Sequence, residues 1–403
     1  MKKICIAGKN NIAVEITKYL KEKYNIEILA IPNSTENGVD GWQKSFYKFC
    51  LENSIPIISL EEAHKIENLI FLSLEFDKII KPYEFLSDKL FNIHFSLLPK
   101  YKGMYTSALP ILNNEKETGV TLHKIDIGID TGEIIAQRKI KIEFDDTSRD
   151  LYLKYISNGI ELIKENISNI LNNTIVTYPQ NNLESSYFSK KSIDYKNLKI
   201  NINQTALNIH NQIRAFNFRE YQLPKVYDKK IISTLTTNQK SLKKPGTILF
   251  ETDNEILMST IDYNIILYKD RTDELFEACY TGDIILVQEI CKNREYLKVR
   301  NDKGWDPLIV AVYNNNIEVV KYLISLGANI YTENYNGTNL IMYAKDCYLN
   351  TKDSTLLELF IRLGLDIYKK DFKNKNVLDY CSDELKERII KYETSQKING
   401  WGG

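Results

Sequence analysis

Apolar positions in the first 140 or so residues fall into short continuous runs separated by stretches with helical spacing. Residues 3–7, 27–31, 55–58, 69–74 and 90–95 predict buried strands. Between them, residues 11–21 place Ile12, Ile16, Tyr19 and Leu20 on one side of a helix. Residues 41–51 read as a second helix, and a short one falls near 83–86. Buried strands alternating with helices predict an α/β, Rossmann-like domain whose mostly parallel sheet is covered on both faces. A longer helix is predicted over 148–172, started by Thr147 and Asp150 at capping-box spacing, with Leu151, Tyr155, Ile160 and Ile163 as its apolar positions.

Beyond that helix the pattern changes twice. Residues 175–200, rich in Asn, Ser and Lys, read as a linker or an extended connection. A helix over 204–216 then precedes strand-like runs, with a Lys-Pro-Gly turn at 244–246 before a strand at 247–250. This small β-containing segment is expected to be too short for a core of its own. From about residue 271 a repeat sets in: Ala278, Ala311 and Ala344 recur every 33 residues, as do the turn glycines Gly304 and Gly337. Gly327 and Gly364 close helices at a spacing four residues longer. A 33-residue helix–turn–helix period predicts an all-α ankyrin array, with a degenerate end near 378–390. The expected layout is therefore a catalytic domain over 1–180, a linker and small β segment over 181–270, and ankyrin repeats over 271–395.

Candidate chemistry concentrates between residues 91 and 137. Asn92 and His94 are two apart on a predicted strand, which puts both side chains on one face. Asp130 sits at the tip of the glycine-flanked run IDIGIDTGE, and loops at strand ends of open α/β sheets are where ligands bind. Acyl transfer to an amine needs a group that takes the amine's proton, a donor for the developing oxyanion and an orienter for the base. Histidine, asparagine and aspartate suit those tasks.

The run NIHFSLLPKYKG followed by TGVTLHKIDIGIDTGEI resembles the signature of folate-dependent formyltransferases, over roughly residues 1–180 with a weaker echo through HNQIRAFNFREYQLPKV and PGTILFETDNEILMST. The resemblance implies that Asn92, His94 and Asp130 form the catalytic set and that N10-formyltetrahydrofolate is the donor. It also implies a folate pocket between residues 72–82 and 125–130, with Asp126 and the backbone at Phe76, Lys78 and Ile129 as contacts. KGMYTSALPILN is similar to the branch acting on dTDP-linked 3-amino-3,6-dideoxyhexoses for bacterial O-antigen and other surface polysaccharides. For such an acceptor, a diphosphate calls for cations and a thymine for an aromatic face; Lys9, Lys100, Tyr105, Arg214 and Tyr221 are the candidates. His123 reads as structural or supporting, and His64 and His210 as structural. None of the four histidines has metal-ligand spacing, so no metal is expected.

Charge narrows the alternatives. Lys plus Arg equals Asp plus Glu at 53 each, which lacks the overall positive field of a nucleic-acid binder and disfavours methionyl-tRNA as acceptor. No apolar run reaches membrane-spanning length and the N-terminus fails as a signal peptide, so a cytoplasmic protein is expected; six scattered cysteines agree with a reducing compartment. GKNN after the first strand is no dinucleotide fingerprint. A homodimer is expected from the resemblance. Trp305, at an ankyrin turn, reads as packing or as a stacking platform for a second ligand, and the array could dock a protein partner. An ankyrin interaction protein carrying a retired enzyme domain is the rival of a different class; it predicts decay of the catalytic set, which is intact.

Overall fold

The structure is a computed structural model and describes residues 2–399. In chain order the first part runs β1 (Lys3–Gly8), α1 (Asn10–Lys23), β2 (Glu27–Pro32), α2 (Phe46–Glu52), α3 (Leu60–His64), β3 (Ile70–Leu74), β4 (Leu90–His94), β5 (Lys102–Gly103), α4 (Leu109–Leu112), β6 (Glu117–Lys124), β7 (Ile134–Lys141) and α5 (Ser148–Asn172). Its main sheet has the order β2-β1-β3-β4-β6-β7. The first four strands are parallel, and β6 and β7 add on antiparallel. Strand alternation splits the core in two. Ile4, Ile6, Leu72 and Ile93 face Ile12, Ile16 and Leu20 of α1 and Leu151, Tyr155 and Ile163 of α5. Cys5, Ala7, Phe71 and Leu90 face Ala63 and Phe85 on the other side. Parallel strands buried on both faces explain why the sequence reads as unbroken apolar runs there.

Two expectations need correction, and a third choice is decided. Residues 55–58 are no strand: Ile57 makes a single bridge to Ala30. The second helix starts at Phe46, not 41, because the Ser45 side chain caps it by accepting from the Lys48 amide. Of the two readings for residues 175–200, the structure has the extended connection rather than a free linker. Tyr178 pairs with Ile134, and β8 (Tyr187–Phe188) runs parallel to β5. In this segment Asn181, Ser189 and Asp194 start short turns, each accepting from a backbone amide two residues on.

The middle segment comprises α6 (Ala206–Phe216), β9 (Lys225–Val226), β10 (Lys229–Lys240), β11 (Ile248–Glu251), β12 (Glu255–Met258) and β13 (Tyr263–Lys269), with sheet order β11-β12-β13-β10-β9. Contrary to expectation it has a core: Ile209 and Ile213 of α6 bury Ile231, Ile256 and Leu267. A single helix over an antiparallel sheet supplies the second layer that a short sheet alone would lack.

The chain divides into two compact units near Lys269. The second is helical: α7 (Thr272–Thr281), α8 (Ile284–Ile290), α9 (Pro307–Tyr313), α10 (Ile317–Ser325), α11 (Leu340–Thr351), α12 (Thr355–Arg362) and α13 (Asp383–Asn399). Gly304 and Gly337 take φ of +77° and +76°, and a Cβ at either would run into the ring of Tyr335 or Phe372, so the repeat's turn glycines are required by backbone and space alike. Among the described residues no helix is long and apolar enough to cross a membrane.

Candidate active site

The site lies at the carboxyl ends of the parallel strands, where β4 meets the antiparallel β6. Asn92 and His94 project from β4, and pairing with β6 sets His123 directly opposite Asn92. Asp130 comes from the β6–β7 loop with φ of +54°. The loop is built by Asp126, whose Oδ1 accepts from the Gly128 amide at 3.1 Å and the Thr131 hydroxyl at 2.6 Å. At Gly132 a Cβ would lie 1.8 Å from the Lys124 carbonyl oxygen, so the loop can turn back onto β6 only with glycine there. Gln180 Nε2 donates to the carbonyls of Asp130 and Gly132 at 2.9 and 2.8 Å.

These elements bring the three expected catalytic residues together around one carboxylate. Asp130 Oδ2 accepts from the Gly103 amide at 2.9 Å and lies 3.5 Å from His94 Nδ1. Asp130 Oδ1 is 3.5 Å from Asn92 Nδ2 and 3.7 Å from His123 Nε2. The His94 Nε2 donates to the Tyr101 carbonyl at 2.8 Å, so both of its ring nitrogens face acceptors, an arrangement with a place for two protons. His94 is buried behind Asp130, whereas Asn92 and Asp130 line an open cleft of about 160 Å³.

His123 supports Asn92. Its Nδ1 donates to the Lys124 carbonyl at 2.7 Å, which leaves Nε2 as the acceptor for Asn92 Nδ2 at 3.1 Å. The neutral ring thereby fixes which way the Asn92 amide points. Burial pushes its pKa down from 6.5 to about 4, against the opposing charge of Asp130. The unfolded chain binds this proton as pH falls below 6.5 and the folded protein does not until about 4, so stability present above pH 6.5 is lost toward pH 4. By pH 5 the loss is about 2 kcal/mol. In denaturant melts, His123→Gln, which keeps an acceptor for Asn92, is expected to flatten this part of the pH dependence; an unchanged slope would refute a buried neutral His123.

The four expected folate contacts all line the same cleft: Phe76, Lys78, Asp126 and Ile129, together with Ser73 and Ile125. Asp126 spends its Oδ1 on the loop, as above. The expected acceptor contacts are scattered. Lys9 follows β1 at the start of α1 and is half-buried; Lys100 is exposed beyond β4. The Tyr105 hydroxyl donates to the Lys190 carbonyl at 3.0 Å and its ring meets Tyr195 edge-on. Tyr221 is exposed and tilts against Phe218. Arg214 is a correction: it is buried, with Nε on Asn211 Oδ1 at 3.0 Å and Nη1 on the carbonyls of Glu143 and Asp146 at 3.3 and 3.0 Å. It anchors α6 to the turn before α5 and is spent on those carbonyls rather than offered to a diphosphate. His210 is likewise structural, bonded to Thr234 and to the Phe144 carbonyl, and His64 packs on Phe85. In the helical unit Trp305 packs against Tyr313 and Tyr343 at centroid distances of 4.9 and 5.2 Å, with Lys303 above its ring.

Comparison with known proteins bears on what this arrangement does. The profile of formyl transferases matches residues 72–167, that of the formyl transferase C-terminal domain matches 192–274, and that of ankyrin repeats matches 275–371. The solved structure of an N-formyltransferase from Helicobacter canadensis, in complex with folinic acid and dTDP-3-aminofucose, is 50% identical with a TM-score of 0.63, covering 67% of this chain and 100% of that one. The bifunctional polymyxin resistance protein ArnA of Wigglesworthia glossinidia brevipalpis is 32% identical over 313 residues, 74% of this chain; the match spans only 44% of that relative's length. A methionyl-tRNA formyltransferase of Clostridioides difficile is 30% identical over 293 residues, 66% of this chain and 91% of that protein. The match to the C-terminal domain profile agrees with the core found in the middle segment.

Proposed function

The chain belongs to the formyltransferase family, and on that premise we propose that it moves the formyl group of N10-formyltetrahydrofolate onto the amine of a dTDP-linked 3-amino-3,6-dideoxyhexose. The observation that carries this reading is the convergence of Asn92, His94 and Asp130, with Asn92 and Asp130 lining the cleft and His94 buried behind Asp130. Phe76, Ile80 and Ile125 give the cleft the apolar walls that a flat pterin needs, with loop backbone on either side.

In the proposed reaction the sugar amine attacks the formyl carbon and the carbonyl electrons move onto its oxygen. The Asn92 amide, held by His123, donates to that oxyanion. The proton lost by the amine is taken up by the His94–Asp130 pair and returned to N10 as the C–N10 bond breaks. Tetrahydrofolate and a formamido sugar nucleotide leave. Lys9, Lys100, Tyr105 and Tyr221 stay as proposed acceptor contacts. We place the product in surface polysaccharide synthesis in the cytoplasm, with the protein as a homodimer and Trp305 in the ankyrin array as a platform for a second ligand.

Similarity to methionyl-tRNA formyltransferases makes that substrate the competing acceptor. Incubating the protein with formyltetrahydrofolate and either a panel of dTDP-amino sugars or charged initiator tRNA separates them. The proposal requires a dTDP-3-amino sugar to gain one CO by mass; formylation of the aminoacyl-tRNA alone would overturn it.

A further inference from the structure

Pairing of Gly8 with Leu74 and of Leu74 with Ile93 sets Lys9, Glu75 and His94 side by side at three adjoining strand ends. Ser73 and Asn92 face the cleft already described. Strand alternation would put Glu75, two residues past Ser73, on that same face. It does not lie there. Glu75 has φ of +58°, a conformation that costs free energy for any residue but glycine, and its side chain crosses to the α5 side of the sheet. There Oε2 accepts from the Tyr152 hydroxyl at 2.8 Å and from Asn10 Nδ2 at 3.4 Å. Asn33 Nδ2 clamps the Glu75 carbonyl at 2.9 Å, and Tyr152 meets the ring of Phe95, the residue after His94. The other oxygen, Oε1, has no hydrogen-bond partner among the described residues and is not sealed from solvent. Burial pushes the Glu75 carboxyl up from the ordinary carboxylate value, with the charge of Lys9 opposing.

A strained backbone that holds one carboxylate oxygen fixed and leaves the other open, beside the reacting residues but off the folate cleft, is an arrangement for a ligand. We propose that Glu75 is the specificity contact for the acceptor sugar: its Oε1 accepts a hydrogen bond from a hydroxyl flanking the amine that is formylated. This rests on the acceptor being an amino sugar, as proposed above. A 3-amino-3,6-dideoxyhexose has a hydroxyl on the ring carbon at each side of its amine, and a partly buried carboxylate distinguishes a sugar that offers an O–H there from one that does not.

The test is a cycle of protein and substrate changes. Wild type and Glu75→Gln, which is the same size and keeps an oxygen for Tyr152, are assayed with the dTDP-3-amino sugar and with its analogues lacking either flanking hydroxyl. For wild type, deleting the recognised hydroxyl should lower kcat/KM about ten- to a hundredfold, the worth of one hydrogen bond to a charged group. For Glu75→Gln, kcat/KM on the full sugar should already be down by that factor, mainly through KM, and deleting the hydroxyl should cost less than about threefold. The KM for formyltetrahydrofolate should not move. Glu75→Asp, which keeps the charge but draws it back, should show the same pattern. Calorimetry should show both variants weaker for the dTDP-amino sugar and unchanged for dTDP alone. Equal hydroxyl penalties in wild type and both variants, with activity on the sugar intact, would overturn the Glu75 assignment and leave the function standing. No product from any dTDP-amino sugar with wild type would remove both.

Discussion

Asp130→Asn is expected to lower kcat by about 10²- to 10⁴-fold while leaving folate binding within a few-fold of wild type. The substitution is nearly isosteric and keeps an oxygen for the Gly103 amide, so the loop can stay folded. What it removes is charge. Asp130 is the one carboxylate that reaches His94 Nδ1, Asn92 Nδ2 and His123 Nε2 at 3.5–3.7 Å, and no neutral amide can serve a protonated imidazole and accept from Asn92 at once. Steady-state kinetics with saturating formyl donor, beside donor binding by fluorescence or calorimetry, checks it. A turnover within fivefold of wild type would mean that the carboxylate takes no part in the chemistry.

Asn92→Ala should cost about 10²- to 10³-fold in kcat with little change in either KM, the signature of a donor that matters when the oxyanion forms. Neutral His123 accepts one N–H of the amide, so the second N–H, on the nitrogen 3.5 Å from Asp130 Oδ1 at the cleft wall, is the one placed to turn to the oxyanion. Free energy for that orientation is spent in folding, so none is needed when the substrate arrives. An Asn92→Ala enzyme whose defect lies wholly in folate KM would instead make Asn92 a donor-binding residue.

The proposed catalytic trio is legible in the sequence through the resemblance of its motif, and the local pattern places it: a two-residue strand spacing for Asn92 and His94, and a glycine-bounded tip for Asp130. The parallel sheet is legible because its strands, apolar on both faces, leave unbroken runs. What escapes is whatever depends on register between distant segments. His123 faces Asn92 only through the β4–β6 pairing, and Gln180 holds the Asp130 loop from a stretch that reads as linker or extended connection. Arg214 looks like a phosphate ligand on a helix until the carbonyls of Glu143 and Asp146 close on it. Glu75 is invisible for another reason: strand periodicity places it on the wrong face, and only the left-handed φ reverses that. The middle segment misleads through its length, since its core needs α6 laid across the sheet.

The most direct test is single-turnover formyl transfer to a dTDP-3-amino sugar by wild type, His94→Asn, Asp130→Asn and the double variant. If His94 and Asp130 act as one proton-handling pair, each single change lowers the rate by at least about a hundredfold and the double is no slower than the worse single. Losses that multiply in the double variant, or a single variant close to wild type, would contradict the account.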